Sequence, residues 1–396
     1  MQYRIDPKSG NALSVLGFGC MRFPRGLTAQ IDAEKTERLI RAAVEGGVNY
    51  FDTAYIYSGS EAVLGEILCK NKLREKIFLA TKLPLGQCRR SEDFERLFCT
   101  QLERLKTDYI DYYLIHNLPD VPLWRSLCDL GIEAWLAEKK AERRIRQVGF
   151  SFHGARRAFA ELLDEYDWDF CQIQYNYMDE NYQAGRAGLR LAHGRGLPVI
   201  VMEPLLGGKL ANGLPAKAIR HFKEAGGGSS AAAWAFRWLW DQPEVTVVLS
   251  GMNSAEQLAD NLKTAETAAP GMLSEREAAA FAPAVAALRE AYRIPCTGCN
   301  YCMPCPQGVN IPGCFAAYNA SYAMGFVVGM QQYITGTGVS HAERRSAGGR
   351  NCVKCGVCEK KCPQHIGIVR ALESVTKRME PFWFNAMIWV IRRLLS

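Results

Sequence analysis

The sequence contains no apolar run of the roughly 18 residues that a membrane-spanning helix needs, and residues 1–6 lack the basic start and apolar core of a signal peptide. Charge is also nearly balanced, with 48 Lys and Arg residues and 41 Asp and Glu residues, and the sequence has no long basic block. These absences argue against a transmembrane segment, secretion and nucleic-acid binding, and they predict a cytoplasmic protein. The composition, 48% hydrophobic and 22% charged, argues against disorder, collagen and coiled coil.

Cysteine is missing from residues 172–295 and concentrated after them. Six of the 15 cysteines are scattered among apolar residues before that gap, as small buried side chains often are: Cys20, Cys69, Cys88, Cys99, Cys128 and Cys171. Eight others form two blocks in the last quarter of the chain, namely Cys296-x-x-Cys299-x-x-Cys302-x-x-Cys305-Pro306 and Cys352-x-x-Cys355-x-x-Cys358-x-x-x-Cys362-Pro363.

The two blocks predict two 4Fe-4S clusters. Disulfides are rare in a reducing compartment, and zinc usually takes two separated cysteine pairs, whereas each block here begins with three cysteines at intervals of three residues. Such a triplet binds three corners of a cubane, and the Cys-Pro cysteine commonly binds the other cluster. One cluster would then take Cys296, Cys299, Cys302 and Cys362, and the other Cys352, Cys355, Cys358 and Cys305.

The first block departs from the spacing of bacterial ferredoxins, because two residues rather than three precede Cys305. The thiol that completes the second cluster is therefore open, and Cys314 is an alternative. Residues 314–334 are rich in Ala, Met, Tyr and Val, which favours helix over a short hairpin. We expect a mainly helical dicluster domain at residues 292–396, after a first domain at residues 1–291.

The first domain alternates short β-branched or aromatic runs with helical patterns, which is typical of repeated βα units. Eight such runs within about 290 residues favour a closed (β/α)8 TIM barrel, with strands at 15–19, 50–53, 77–82, 110–116, 147–152, 171–175, 199–202 and 245–249. Helices are expected between them, for example at 33–45, 94–105 and 229–240. An open doubly wound sheet is disfavoured, because no Gly-rich phosphate loop follows the first strand.

Catalytic residues of such a barrel lie at the C-terminal ends of its strands. Asp52, Lys82 and His116 each end a predicted strand, and Tyr57 follows Asp52 closely. A phenol with an ordinary pKa of about 10 donates a proton at neutral pH when a neighbouring cation stabilises the phenolate. Lys82 could supply that cation, Asp52 could hold Lys82, and His116 could orient a carbonyl oxygen, which together favour carbonyl reduction.

Residues 1 to about 290 resemble an aldo-keto reductase. The resemblance rests on LGFGCMR (16–22), FDTAYIY (51–57), ATK (80–82), DYYLIH (111–116), GFS (149–151) and QIQYN (172–176). It implies that Tyr57 is the general acid and that Asp52, Lys82 and His116 complete a catalytic tetrad. Together with the cysteine blocks, the chain is similar to the branch of that family with a C-terminal ferredoxin-like dicluster domain.

The same resemblance implies a nicotinamide site. Ser151 and Gln172 would hold the carboxamide, and the run from Glu203 to Lys209 would cradle the pyrophosphate. Met202 replaces the family's ring-stacking aromatic residue, and the cations that grip a 2′-phosphate are absent near residues 250–252 and Gln257, so NADP and NAD both stay open. The implied cofactor-binding residues are Ser151, Gln172, Met202, Pro204, Leu205, Gly207, Gly208, Gln257 and Asn261.

Nicotinamide transfers two electrons as hydride, whereas a 4Fe-4S cluster transfers one at a time. Three interpretations follow. In the first, the protein reduces a small carbonyl substrate with NAD(P)H, and the clusters are structural or serve a partner. In the second, a flavin at the barrel mouth exchanges electrons through the clusters with a ferredoxin or other electron-transfer partner. In the third, the chain is a non-catalytic electron-transfer subunit. The presence of both Tyr57 and Lys82 argues against the third.

The chain ends in an apolar and aromatic run at residues 382–395 that includes Arg392 and Arg393. It is too short to span a bilayer. Packing on its own domain or on a second subunit is one interpretation of this C-terminal helix, and peripheral membrane contact is the other.

Overall fold

The computed structural model describes residues 1–26, 30–226, 229–338 and 347–384. Its strands are β1 Tyr3–Ile5, β2 Ala12–Ser14, β3 Leu16–Gly19, β4 Tyr50–Asp52, β5 Phe78–Leu83, β6 Ile110–Ile115, β7 Ile145–Phe152, β8 Phe170–Gln174, β9 Val199–Met202 and β10 Val245–Ser250. Its α-helices are α1 Ala33–Glu45, α2 Ser60–Lys70, α3 Glu92–Leu105, α4 Val121–Asp129, α5 Ile132–Ala141, α6 Arg156–Glu165, α7 Gly185–Gly194, α8 Lys209–Asn212, α9 Ala216–Gly226, α10 Ala231–Trp240, α11 Ala255–Ala265, α12 Glu275–Ala279, α13 Phe281–Ala291, α14 Ile311–Ala323, α15 Phe326–Tyr333, α16 Val357–Lys360 and α17 Ile368–Met379.

Strands β3 to β10 form a closed barrel in which each strand is parallel to its neighbours, and β10 returns to pair with β3. The predicted eight-stranded TIM barrel is therefore confirmed. Its strands read as near-continuous apolar runs because barrel strands are covered on both faces, as in the fully buried β6. The register places Asp52 opposite Ala80, so the ends of β4 and β5 lie side by side.

The antiparallel hairpin β1–β2 precedes the barrel and was not predicted. Its Leu13 is fully buried in one apolar cluster with the barrel side chains Tyr50, Tyr112 and Phe170. The Tyr112 hydroxyl also donates to Asp6 Oδ2 at 2.8 Å. The hairpin thus extends the barrel core, although its own strands are only three residues long.

The chain divides into two compact units. The first comprises residues 1–205 and 232–274, and the second comprises residues 206–231 and 275–396, of which residues 227–228, 339–346 and 385–396 fall outside the described part. The second unit is helical in the described part and has its own core, which includes Phe315, Tyr333, Leu372 and Met379. The expected helix at 314–334 appears as α14 and α15, separated at Gly325, whose φ of +100° interrupts the helix.

Candidate functional site

Lys82 and Asp52 form a buried ion pair at the adjoining ends of β5 and β4. The Lys82 Nζ lies 2.6 Å from Asp52 Oδ1 and also donates to the carbonyl oxygen of Thr53 at 2.7 Å. Only 1% of the Lys82 side chain and 5% of the Asp52 side chain are exposed. Two oxygen atoms at fixed positions therefore accept two of the three ammonium protons, which keeps a positive charge in place within the barrel.

Tyr57 and His116 complete the group that the sequence predicted. The Tyr57 ring, on the loop after β4, has its centroid 5.1 Å from the Lys82 Nζ. The His116 ring, just after β6, meets the Tyr57 ring edge to face at 6.0 Å between centroids. All four predicted tetrad residues thus lie together, and a cation at this distance from a phenol stabilises the phenolate form.

The imidazole of His116 is held in its neutral form. Burial is the main cause that lowers its pKa well below the usual range, and the positive charge of Lys82 and the neighbouring His153 lower it further. A neutral imidazole can donate one hydrogen bond without adding a second positive charge beside Lys82.

A buried polar network behind the tetrad was not predicted. Glu61 Oε1 accepts from the Thr81 hydroxyl at 2.7 Å and from Gln101 Nε2 at 2.9 Å. Gln101 Nε2 also lies 3.1 Å from the carbonyl oxygen of Lys82, and the Tyr113 hydroxyl donates to Gln101 Oε1. The network therefore contacts β5 through the Thr81 side chain and the Lys82 backbone. The sequence contains one indication of this network: Gln101 is a polar residue on the apolar face of the amphipathic helix α3.

Of the predicted carboxamide residues, Ser151 lies near the end of β7, and Gln172 lies in the middle of β8, opposite Ser151 in the sheet register. Gln172 Nε2 donates to Asp52 Oδ2 at 3.0 Å, which connects Gln172 directly to the tetrad. Its Oε1 is buried and has no hydrogen-bond partner among the described residues. The Ser151 hydroxyl accepts from the backbone N–H of Asn117 at 2.7 Å, and its own proton is still available for donation. A buried hydrogen-bond acceptor, Gln172 Oε1, and a hydroxyl donor, that of Ser151, together suit the carboxamide group of a nicotinamide ring.

The other predicted cofactor residues are spread over three segments. Met202 ends β9 and packs against the barrel core, and Pro204 and Leu205 follow it. Gly207 and Gly208, in the second unit, have left-handed φ values of +69° and +93°. On α11, Asn261 Nδ2 donates to the Ser250 hydroxyl at 3.0 Å, while Gln257 Oε1 accepts from the backbone of Asn253. Both α11 side chains therefore hold the turn between β10 and α11.

In the second unit, four of the predicted cluster ligands line one cavity. These are Cys296, Cys299, Cys302 and Cys362, and Ile311, Phe315, Ile366 and Ile368 also line it. The pKa of Cys302 is raised to about 12, chiefly by burial and then by the charges of the other three thiols. Four mutually close thiols in apolar surroundings are a donor set that suits an iron-sulfur cluster.

The second predicted ligand set is described in part. Burial raises the pKa of Cys358, and the nearby Cys352 raises it further, so these two thiols are close to each other. Cys305, Cys352 and Cys358 all pack against the core of the second unit, whereas Cys355 is exposed. Cys314 is buried instead, where its Sγ lies 3.8 Å from the Tyr333 hydroxyl, and burial raises its pKa to about 12.

The structure is a (β/α)8 barrel in which the four predicted tetrad residues lie together. The family model for the aldo/keto reductase family matches residues 15–272, and a 4Fe-4S dicluster domain model matches residues 295–366. The chain therefore belongs to the aldo/keto reductase family, in the branch that carries a 4Fe-4S dicluster domain, and the resemblance drawn from the sequence is confirmed.

Individual relatives agree with this assignment. An aldo-keto reductase of Mycobacterium tuberculosis is 33% identical over 145 residues, a match that covers 36% of this chain and less than half, 45%, of that protein. An aldo-keto reductase of Bacillus halodurans, solved in its holo form, is 26% identical with a TM-score of 0.59, over 72% of this chain and 96% of that one. One from Klebsiella pneumoniae, solved with NADP and acetate, shares the fold at 23% identity and a TM-score of 0.58, over 71% and 94%.

Within the described residues, no helix is both long and apolar enough to cross a bilayer. The C-terminal run at 382–395 falls outside the described residues after position 384, so both interpretations of it stay predictions.

Proposed function

We propose that this chain reduces a small carbonyl substrate with NAD(P)H and that Tyr57 is the general acid. The observation that carries the proposal is the buried Lys82–Asp52 pair, whose Nζ lies 5.1 Å from the centroid of the Tyr57 ring. A buried cation stabilises the phenolate that remains after Tyr57 gives up its proton. The aldo/keto reductase membership supports the same reaction class.

When bound, nicotinamide supplies a hydride to the carbonyl carbon. Neutral His116 donates a hydrogen bond to the carbonyl oxygen and orients it, and Tyr57 protonates that oxygen. Lys82 then compensates the charge on the phenolate, while Asp52 and the carbonyl oxygen of Thr53 keep its ammonium group in position.

The residues present fit a nicotinamide cofactor. Gln172 Oε1 is a buried acceptor without a described partner, and the neighbouring Ser151 hydroxyl can donate, which matches the two sides of a carboxamide. In this proposal Met202 contacts the ring face, Pro204, Leu205, Gly207 and Gly208 cradle the pyrophosphate, and Gln257 and Asn261 belong to the adenine side. The NADP bound to the Klebsiella pneumoniae protein supports NADP as the first cofactor to test.

We further propose that residues 1–291 are the catalytic module and residues 292–396 bind two 4Fe-4S clusters, which supply one-electron transfer. Cys296, Cys299, Cys302 and Cys362 would hold the first cluster, and Cys352, Cys355, Cys358 and Cys305 the second, with Cys314 as a structural thiol. The cavity shared by the first four thiols supports this pairing. Because such clusters depend on reduced cysteines, we expect a cytoplasmic protein and an external electron-transfer partner.

The deciding experiment compares anaerobically purified wild type with Tyr57→Phe in the oxidation of NADPH by a panel of aldehydes and ketones. We expect turnover to fall by at least about 100-fold, the range for loss of a general acid. Tyr55→Phe is the matched control: Tyr55 is in the same loop and its ring packs on Arg104, so this variant should keep its activity. Wild-type turnover in Tyr57→Phe would overturn the proposal, and extraction of bound cofactor separates nicotinamide from flavin.

A further inference from the structure

The two predicted cluster sites differ sharply in their surroundings. No charged residue occurs between Pro295 and Tyr318, the stretch that carries the first cysteine block. The cavity formed by the four thiols of the first cluster is lined by Phe315 and three isoleucines, and the adjoining Thr297 and Gln364 are buried. The described lining of the first site thus consists of neutral side chains, of which Asn300 is exposed.

The loop with the second cysteine triplet is exposed instead. Cys355 is exposed, and so are the apolar side chains Val353 at 60% and Val357 at 41%. A Cβ added at Gly356, between them, would meet no described atom within 4 Å. Large apolar side chains beside an exposed ligand thiol suit a surface that a partner covers transiently.

The segment from Gly349 to Glu380, which includes this loop and α17, has a net positive charge. Between Gly349 and Glu380 there are seven Lys and Arg residues and three Glu residues. All three carboxylates are engaged: Glu373 pairs with Lys354, Glu380 pairs with Arg350, and Glu359 Oε1 accepts from the backbone of Val369. Lys360 and Lys361, at the end of α16, are exposed. The loop therefore carries a small net positive charge next to its apolar side chains, with three lysines against Glu359 and the Glu373 that pairs with Lys354.

We propose that Val353, Lys354, Cys355, Val357, Lys360 and Lys361 form a docking surface for a small acidic one-electron carrier protein. The inference rests on the proposed ligation of the second cluster. The reduced carrier loses one electron, the cluster held beside this surface gains it, and no proton moves and no bond forms or breaks. Transient electron-transfer complexes use small interfaces of this kind, in which opposite charges speed the encounter and an apolar centre makes the contact.

In this proposal the second site, whose Cys355 is exposed, is the one that receives the electron from the carrier. A competing explanation is that the lysines only offset the negative charge of the cluster and tune its reduction potential. The two explanations differ in what charge reversal does to association with the carrier.

The test uses the anaerobic holoprotein and an acidic flavodoxin in its hydroquinone form, whose one-electron oxidation to the semiquinone is followed by stopped-flow absorbance. Lys360→Glu/Lys361→Glu is compared with Lys72→Glu/Lys76→Glu, which reverses two exposed lysines of the barrel unit and changes the net charge equally. At low salt we expect the second-order rate constant to fall by about tenfold or more in the first variant and by less than about twofold in the control. The difference should disappear near about 0.5 M salt, where surface charges are screened.

Iron content and the midpoint potentials of both clusters are measured on the same samples. An unchanged rate constant in the Lys360/Lys361 variant, or a change fully explained by a shifted potential, would overturn the docking surface. So would a wild-type rate that does not depend on salt. NADPH turnover without carrier is recorded separately, so the docking surface and the carbonyl reductase proposal can each fail while the other holds.

Discussion

Gly207 lies directly against the carbonyl oxygen of Thr297, so closely that a Cβ on Gly207 would be 2.1 Å from that oxygen. Gly207 is the second residue of the second unit, and Thr297 follows the predicted cluster ligand Cys296. A second connection joins the same two segments, since the Tyr292 hydroxyl donates to the carbonyl oxygen of Gly213 at 2.6 Å. Residues 207–213 and the start of the first cysteine block are therefore packed together within the second unit.

Gly207→Ala should disturb both functions of that unit. The added methyl group clashes with backbone atoms, and overpacking of this kind costs about 1–3 kcal/mol beyond the cost of a left-handed alanine. Gly271→Ala is the control, because Gly271 has nearly the same positive φ, +68°, but a Cβ there meets no described atom within 4 Å. We expect lower iron content and weaker NADPH binding, measured by fluorescence quenching, in the Gly207 variant alone. Equal behaviour of the two variants would contradict the role of the Thr297 contact.

Lys82→Met should destabilise the barrel, because it leaves the Asp52 carboxylate buried without its cation. Removal of one partner of a buried ion pair typically costs about 3–5 kcal/mol. The double variant Asp52→Asn/Lys82→Met removes the uncompensated charge, so we expect it to recover part of that loss. Urea unfolding followed by circular dichroism compares the three proteins. A double variant no more stable than Lys82→Met would show that the lost stability comes from packing rather than from charge.

Gln101 positions Lys82 through a hydrogen bond to the Lys82 carbonyl oxygen, so Gln101→Met should change kcat and its pH profile. The variant keeps the side-chain volume but loses the hydrogen bonds to Glu61, Thr81 and the Lys82 carbonyl oxygen. A displaced ammonium group stabilises the Tyr57 phenolate less well, so the alkaline limb of the pH profile of kcat should move to higher pH while kcat falls by about tenfold. Thr100→Ala, on the exposed face of the same helix, is the control. A lower kcat with an unmoved pH profile would argue for a structural role only.

The barrel and the tetrad could be predicted from the sequence because their signals are local. Strand residues are continuous apolar runs, and the tetrad residues stand where those runs end. The Glu61–Gln101 hydrogen bond could not be predicted, since it joins residues 40 positions apart that no local period connects. Likewise, nothing local indicates that residues 206–231 belong with the helical unit, because that assignment depends on contacts such as the one between Gly213 and Tyr292.

His116 should make the protein less stable in mild acid. Burial lowers its pKa in the folded state, whereas the unfolded chain takes up a proton at about pH 6.5. The unfolded state then binds more protons, so the free energy of unfolding falls as the pH drops below that value, by up to about 1.4 kcal/mol per pH unit for one proton. His116→Gln should reduce this slope between pH 7 and 5. His193→Gln, an exposed control on α7, should leave it unchanged; an unaltered slope in His116→Gln would assign the acid lability to other groups.

Cys362 follows the second triplet in the sequence, yet it lines the cavity of the first. If it binds the first cluster, Cys362→Ala and Cys296→Ala each remove that cluster, and the double variant loses no more iron than either single variant. Cys352→Ala/Cys362→Ala should instead lose both clusters, about eight irons if each is a cubane. Iron and sulfide analysis with EPR of the dithionite-reduced proteins measures this. Cys314→Ala is the control and should keep both clusters, because its thiol lies in the apolar core beside Tyr333. If Cys352→Ala/Cys362→Ala retained half of the iron while Cys296→Ala/Cys362→Ala lost all of it, Cys362 would belong to the cluster of its own block and the crossed ligation would be wrong.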